Sequence, residues 1–176
     1  PRWKKSAVSL TCCFFLCAPM AYATFSIHPH GTAYYNTLIG GVRGAADQNL
    51  MRQYWGYSTL EALASLEDET SEMLSIFPHN ANSDSMEWYR REGLLSRNTR
   101  NAYGPDMIAI APTATNQRRV PEHMDYAFYN HQRAFIPVLQ DIWAVTGTHA
   151  PVGVWTVNGV PVFSLYADEA HRPDEN

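Results

Sequence analysis

The hydrophobic and polar positions divide the chain into an apolar amino-terminal stretch and a body of short alternating runs. Three basic residues precede an uncharged run over residues 6–25. At about 1.5 Å rise per residue, a helix of that length spans roughly 28 Å, enough to cross the hydrocarbon core of a bilayer. Ala21-Tyr22-Ala23 also matches the small-x-small site of a cleavable signal peptide. Both interpretations place the body outside the cytoplasm, because basic residues before an apolar run favour a cytoplasmic amino end.

The first residue is Pro1 rather than Met, so we expect the chain to begin inside a longer protein. Residues 1–25 are then the truncated end of its last transmembrane helix. We expect a juxtamembrane segment rich in Gly and aromatic residues over 26–57, a soluble α/β domain over 58–167 and a disordered tail over 168–176. This organisation predicts a protein of the inner (plasma) membrane, with its soluble domain on the periplasmic or extracellular side.

Short apolar or alternating runs in the body predict five strands. They lie at 73–77, 106–111, 125–129, 152–157 and 160–166. Asn158-Gly159 separates the last two runs. This dipeptide predicts a β-hairpin, because both central residues of a type I′ turn need positive φ.

Apolar residues at helical spacing predict helices between these strands, over 59–66, 85–95 and 135–146. Ser58 and Glu61 form a capping box at the start of the first helix. In the second helix, Met86, Tyr89 and Leu94 are expected to face inward. Helices that alternate with strands predict an α/β fold: a mixed sheet of about five strands with flanking helices and a carboxyl-terminal hairpin.

The charge of the body argues against nucleic acid as a partner. The chain has 13 Lys or Arg and 17 Asp or Glu, a formal charge of −4. Without the basic start, ten Arg oppose 17 acidic residues, and the formal charge of the body is −7. We therefore expect no nucleic-acid partner. All three Cys lie in the apolar run, so the body has no disulfide and no Cys-based metal site.

Common catalytic motifs are missing from the sequence. It contains no Gly-rich phosphate loop, no His-Glu-x-x-His and no Gly-x-Ser-x-Gly. His28 and His30 stand together, but further metal ligands are not indicated, so no metal or cofactor is predicted. Four further histidines are expected on the surface rather than in a cluster: His79, His123, His131 and His149. No residue is predicted to be catalytic.

Two segments of the chain resemble a known family. The motif residues of the first segment are His28, Pro29, Tyr34, Tyr35, Asn36, Gly40, Gly41, Gly44, Tyr54, Trp55, Gly56, Ser58 and Glu61. The second segment covers 151–166 and includes the turn Asn158-Gly159. They are similar to the region after the last transmembrane helix, and to the carboxyl-terminal hairpin, of bacterial polytopic GT-C glycosyltransferases. That group is related to dolichyl-phosphate-mannose protein mannosyltransferases and is also called glycosyltransferase family 39 or ArnT-like.

The resemblance implies a membrane enzyme that transfers a sugar from a polyprenyl-phosphate donor to an acceptor. In that family the catalytic carboxylate lies in the first extracytoplasmic loop, which this sequence does not contain. The piece is therefore expected to be structural or acceptor-related. Its expected partners are the upstream membrane module, the lipid bilayer and a lipid-linked sugar or acceptor. Gln53 stands where family members often carry an acidic residue.

Two alternatives from other classes remain open. The first is a stand-alone exported binding or interaction protein with an amino-terminal signal peptide. The second is an independent soluble hydrolase, for which the sequence indicates no nucleophile–base pair.

Overall fold

The apolar amino-terminal run forms one long helix. The computed structural model describes residues 2–28, 30–53, 59–63, 66, 73–79, 83–102 and 120–173. In this structure helix α1 extends over Arg2–Ile27. Its part Val8–Ile27 has a mean hydropathy of 1.7 and is almost entirely exposed. By length and composition this helix is able to cross a membrane, and a signal sequence would have the same properties.

The body is built around a mixed five-stranded sheet, which confirms the predicted α/β class. The strands are β1 (Leu74–Pro78), β2 (Thr99–Asn101), β3 (Tyr126–Asn130), β4 (Gly153–Val157) and β5 (Val160–Ala167). Their order in the sheet is β2-β1-β3-β5-β4. β1 pairs in parallel with β2 and β3, whereas β5 is antiparallel to both β3 and β4. The carboxyl ends of β1 and β3 therefore lie at the same edge of the sheet.

Helices cover both faces of the sheet. Besides α1 they are α2 (Gly41–Asp47), α3 (Thr59–Leu63), α4 (Ser83–Arg91) and α5 (Ile136–Thr146). Side chains of α2, α3 and α4 form the first core together with Ile76, Phe128 and Phe163. Side chains of α5 share the second core with Phe77 and Tyr129. Phe128 and Tyr129 are neighbours on opposite faces, as the period of two in a strand requires.

Helix α4 ends earlier than the predicted 85–95. Gly93 adopts a φ of 72°, and the Leu94 amide donates to the Tyr89 carbonyl at 2.9 Å, which is how a left-handed residue ends a helix. The chain turns there, so Leu95 is buried and Leu94 is exposed. The expectation that Leu94 faces inward is wrong for this reason.

Several predicted elements differ from the structure or lie outside the described residues. The predicted strand 106–111 and residues 64–65 of the first predicted helix are outside them. β2 and α2 were not predicted. The segment expected as a tail begins with a 3-10 helix, Glu169–His171, whose first turn is capped by the Asp168 carboxylate.

Candidate functional site

The glycines of the family motif shape the juxtamembrane segment. Gly40 and Gly41 have φ angles of 88° and 64°, a region that side chains with a Cβ rarely adopt. A Cβ added to Gly44 would lie 1.7 Å from the Ile39 carbonyl oxygen. α2 therefore approaches the preceding 3-10 turn (Thr37–Ile39) closely only because residue 44 has no side chain.

The other motif residues make local contacts. The Tyr35 hydroxyl donates to the Met51 carbonyl, and the Asn36 side chain accepts from the Ile39 amide at 3.1 Å. Tyr34 packs against the first core, and His28 is exposed. His30 Nε2 lies 3.3 Å from Glu61 Oε1. The predicted residues Pro29, Tyr54, Trp55, Gly56 and Ser58 lie outside the described residues.

The juxtamembrane segment is bonded to the carboxyl-terminal hairpin. Asn158 and Gly159 have φ angles of 52° and 76°, which confirms the predicted turn. Arg43 Nε donates to the Asn158 carbonyl at 3.0 Å, and Arg52 Nη1 donates to the Pro161 carbonyl at 2.8 Å. These bonds join residues more than 100 positions apart in the sequence.

A group of buried and half-buried polar side chains lies where β1 and β3 end. We call Gln53, His79, Asn130, His131 and Ser164 the carboxyl-edge cluster. His79 directly follows β1, and His131 directly follows β3. In α/β sheets, ligands characteristically bind beside the carboxyl ends of parallel strands. This cluster is therefore the strongest candidate for a functional site among the residues described.

Hydrogen bonds connect three residues of the cluster, Gln53, His79 and Asn130. Gln53 Nε2 donates to Asn130 Oδ1 and, at 3.3 Å, to the Val162 carbonyl. Asn130 Nδ2 donates to the His79 carbonyl at 2.8 Å. The Asn130 amide donates to His79 Nδ1 at 3.2 Å, which requires this nitrogen to be unprotonated. Burial lowers the pKa of His79 to about 4, so the ring is neutral near pH 7.

Tyr129 links the two histidines. Its ring stacks on His79 at a centroid distance of 5.6 Å and meets His131 edge-on at 5.1 Å. His131 Nε2 lies 2.7 Å from Ser164 Oγ. Burial, and then the charge of Arg52, lowers the pKa of His131 to about 4. The expectation that His79 and His131 are surface residues outside any cluster is wrong, because His79 is buried, His131 is half-buried and both rings contact Tyr129. The parallel pairing of β1 and β3 places the ends of these two strands side by side.

A cavity of about 300 Å³ opens beside the cluster, between the end of α2 and the start of α5. Its apolar wall includes Leu50, Ile136 and Leu139, and its polar wall includes Arg52, His131 and Arg133. Ser164 does not line this cavity and is only 1% exposed, so its hydroxyl is inaccessible to a substrate despite its histidine partner. The Ser164 hydroxyl is therefore not a candidate nucleophile for a ligand in this cavity.

The sequence carried one signal that points to this site. Each histidine is the first polar residue after an apolar strand, at 79 and at 131. That position is where parallel strands present functional side chains. The sequence does not reveal that these two strands pair, so it does not place the two histidines in one site.

A second group has the residue types of a metal site. Ligand atoms of Asp125, Asp168 and His171 lie within 4.8 Å of one another. Asp168 Oδ1 already accepts from the amide and from Nδ1 of His171, and the Asp125 carboxylate accepts from the Ser75 amide. The Asp168 amide also donates to the Asp125 carbonyl at 3.0 Å. Together these bonds give the group a structural role in holding the chain after β5 against the start of β3.

Comparison with protein-family models, with curated proteins and with solved structures found no match. The resemblance to GT-C glycosyltransferases therefore stays a prediction from the residues in 28–66 and 151–166.

Proposed function

We propose that the chain is the carboxyl-terminal extracytoplasmic domain, with the end of the last membrane helix, of a polytopic GT-C-type glycosyltransferase. That enzyme transfers a sugar from a polyprenyl-phosphate donor to an acceptor. In this proposal the domain is not itself catalytic. It stabilises the enzyme or positions the acceptor on the outer side of the inner membrane. Its partners are the upstream membrane module and the bilayer.

One observation carries the proposal: the two segments that resemble the family are packed on each other. Arg43 and Arg52 of the first segment donate to carbonyls of the second, at Asn158 and Pro161. Two segments that resemble the same family and form one packed unit support a common origin better than two isolated short patterns.

The same packing attaches the candidate membrane helix to the sheet. Ile27, its last residue, is 5% exposed and belongs to the core that also contains Val42 and Val160. In this proposal the buried end of the membrane helix restricts the orientation of the body relative to the membrane. A fixed orientation is what a structural or acceptor-positioning domain needs.

A stand-alone exported binding protein is the second candidate. The observation in its favour is the position of the apolar helix near the amino terminus, with Ala21-Tyr22-Ala23 close to its end. This protein would carry the same body without the upstream membrane module.

The upstream reading frame separates the two proposals. Several further hydrophobic spans, with an Asp or Glu in the first extracytoplasmic loop, are expected for the enzyme. An initiating Met within a few residues of Pro1 would overturn the enzyme and support the exported protein. The full-length product, reconstituted in nanodiscs, should then release polyprenyl phosphate from a polyprenyl-phosphate-linked sugar, whereas the present chain alone should not.

A further inference from the structure

Two guanidinium groups lie on the wall of the cavity, and neither has a carboxylate partner among the described residues. Arg52 uses Nη1 for the Pro161 carbonyl, and within the described part of the chain it has no ion pair. The side chain of Arg133 has neither a hydrogen bond nor an ion pair to any described residue. No described Asp or Glu lines the cavity. This wall is therefore positively charged in a protein whose formal charge is −4.

Arginines that have no described carboxylate partner and lie on a concave wall are suited to bind an oxyanion. The planar guanidinium group matches the geometry of a carboxylate or a phosphate, and its hydrogen bonds to an anion are stronger than those between neutral groups. The wall also includes Tyr129 and His131 at the carboxyl end of β3, and α/β sheets characteristically bind ligands beside the carboxyl ends of parallel strands.

The remainder of the cavity favours an apolar group. Leu50 and Ile136 are 38% and 45% exposed, and both line it. Covering such side chains is favourable because apolar surface leaves water. A volume of about 300 Å³ accommodates roughly ten non-hydrogen atoms, at about 30 Å³ for each water-sized group. The enclosed space is too small to hold a whole diacyl lipid.

We propose that this cavity binds a small soluble amphiphile: a phosphate or carboxylate head between Arg52 and Arg133, with a short alkyl group against Ile136. The ligand lies beside His131 and does not need the hydroxyl of Ser164. The proposal does not depend on the glycosyltransferase, because it requires only the residues of the cavity.

The test is a calorimetric titration of the full chain in micelles of an uncharged detergent, with butyl phosphate as the probe. Butyl phosphate should bind about tenfold more tightly than inorganic phosphate, because its alkyl carbons become buried. Arg133→Gln should weaken binding about tenfold, the effect of losing one charged hydrogen bond. The matched control is Arg97→Gln, which changes an exposed arginine outside the cavity and should leave binding unchanged.

Three results would overturn the proposal. The first is an absence of saturable binding to the wild-type chain. The second is an equal loss of affinity in Arg97→Gln and Arg133→Gln, which would indicate general attraction of anions. The third is displacement of butyl phosphate by phosphatidylglycerol added to the micelles, which would assign the site to a lipid head group.

A second readout is the pKa of His131, which Arg52 helps to lower to about 4. This pKa should rise on binding, because the bound anion offsets the charge of Arg52.

Discussion

Gly44→Ala should separate α2 from the turn that precedes it. The added Cβ would lie 1.7 Å from the Ile39 carbonyl oxygen and 2.7 Å from the Ile39 carbonyl carbon. Both are backbone atoms, so no side-chain rotation relieves the clash. The helix or the turn must move by about 1.5 Å to restore van der Waals contact. That movement would strain the nearby bond from Arg43 to the hairpin.

The magnitude follows from two opposing effects. Overpacking at a well-packed position costs up to about 3 kcal/mol of the free energy of unfolding. Replacing Gly by Ala inside a helix returns about 1 kcal/mol through helix propensity. The net destabilisation is then about 2 kcal/mol. In a chain of this size such a change lowers the Tm by about 4–8 °C.

The assay is thermal unfolding of the full chain in detergent micelles, followed by circular dichroism. Gly31→Ala is the matched control, because a Cβ at that position meets no atom within 4 Å and the φ angle is ordinary. Its Tm should stay within about 2 °C of the wild type. If the two variants melt at the same temperature, the close approach at Gly44 does not determine the structure of this segment.

Three further predictions address burial and topology. The free energy of unfolding should fall from pH 7 to pH 5. Burial lowers the folded-state pKa values of His79 and His131 to about 4, so below pH 6.5 the unfolded chain binds more protons than the folded chain. His79 alone accounts for about 2 kcal/mol of this loss, so His79→Phe should reduce the difference between urea titrations at the two pH values. Gln53→Leu should destabilise the protein by about 1–3 kcal/mol in urea unfolding, since it leaves the buried Asn130 oxygen without its donor. Gln140→Cys, at an exposed position in a body without Cys, should be labelled by a membrane-impermeant maleimide added to intact cells.

Each of these predictions has its own control. An unchanged pH dependence in His79→Phe would show that this ring is not held neutral in the folded state. Gln48→Leu, at an exposed position, should leave the stability unaltered, and an equal effect of both Gln variants would contradict the role of the buried bond. Ser6→Cys lies on the basic side of the apolar run and should react only after permeabilisation. Labelling of Ser6→Cys but not Gln140→Cys in intact cells would reverse the proposed orientation.

The sequence by itself determined the local elements. Four predicted strands appear as β1, β3, β4 and β5, and their bounds differ from the prediction by about one residue. The hairpin turn has the positive φ angles that Asn158-Gly159 predicts. The predicted helix 135–146 appears as α5, and Gly147 follows it in the left-handed conformation. These features depend on a few consecutive residues, so their physical cause is present in the sequence itself.

Elements that depend on a distant partner were not predicted. β2 has only three residues and a polar sequence, and it is a strand because it pairs with β1. The sequence marks Gly44 only as a motif residue, and the structure identifies the Ile39 carbonyl as the group that requires a glycine there. The partner of each contact is a property of the folded chain.

The carboxyl-edge cluster was decided by tertiary structure alone. His79 and Asn130 are 51 positions apart, and Gln53 and Asn130 are 77 apart. Nothing in the local sequence of a histidine after a strand states whether it will face water or another strand. The parallel pairing of β1 with β3 brings these side chains to one edge, and the segment that carries Arg52 and Gln53 closes over them. The sequence supplied the polar groups, and the sheet topology determined that they are buried together beside a cavity, because burial depends on which strands become neighbours.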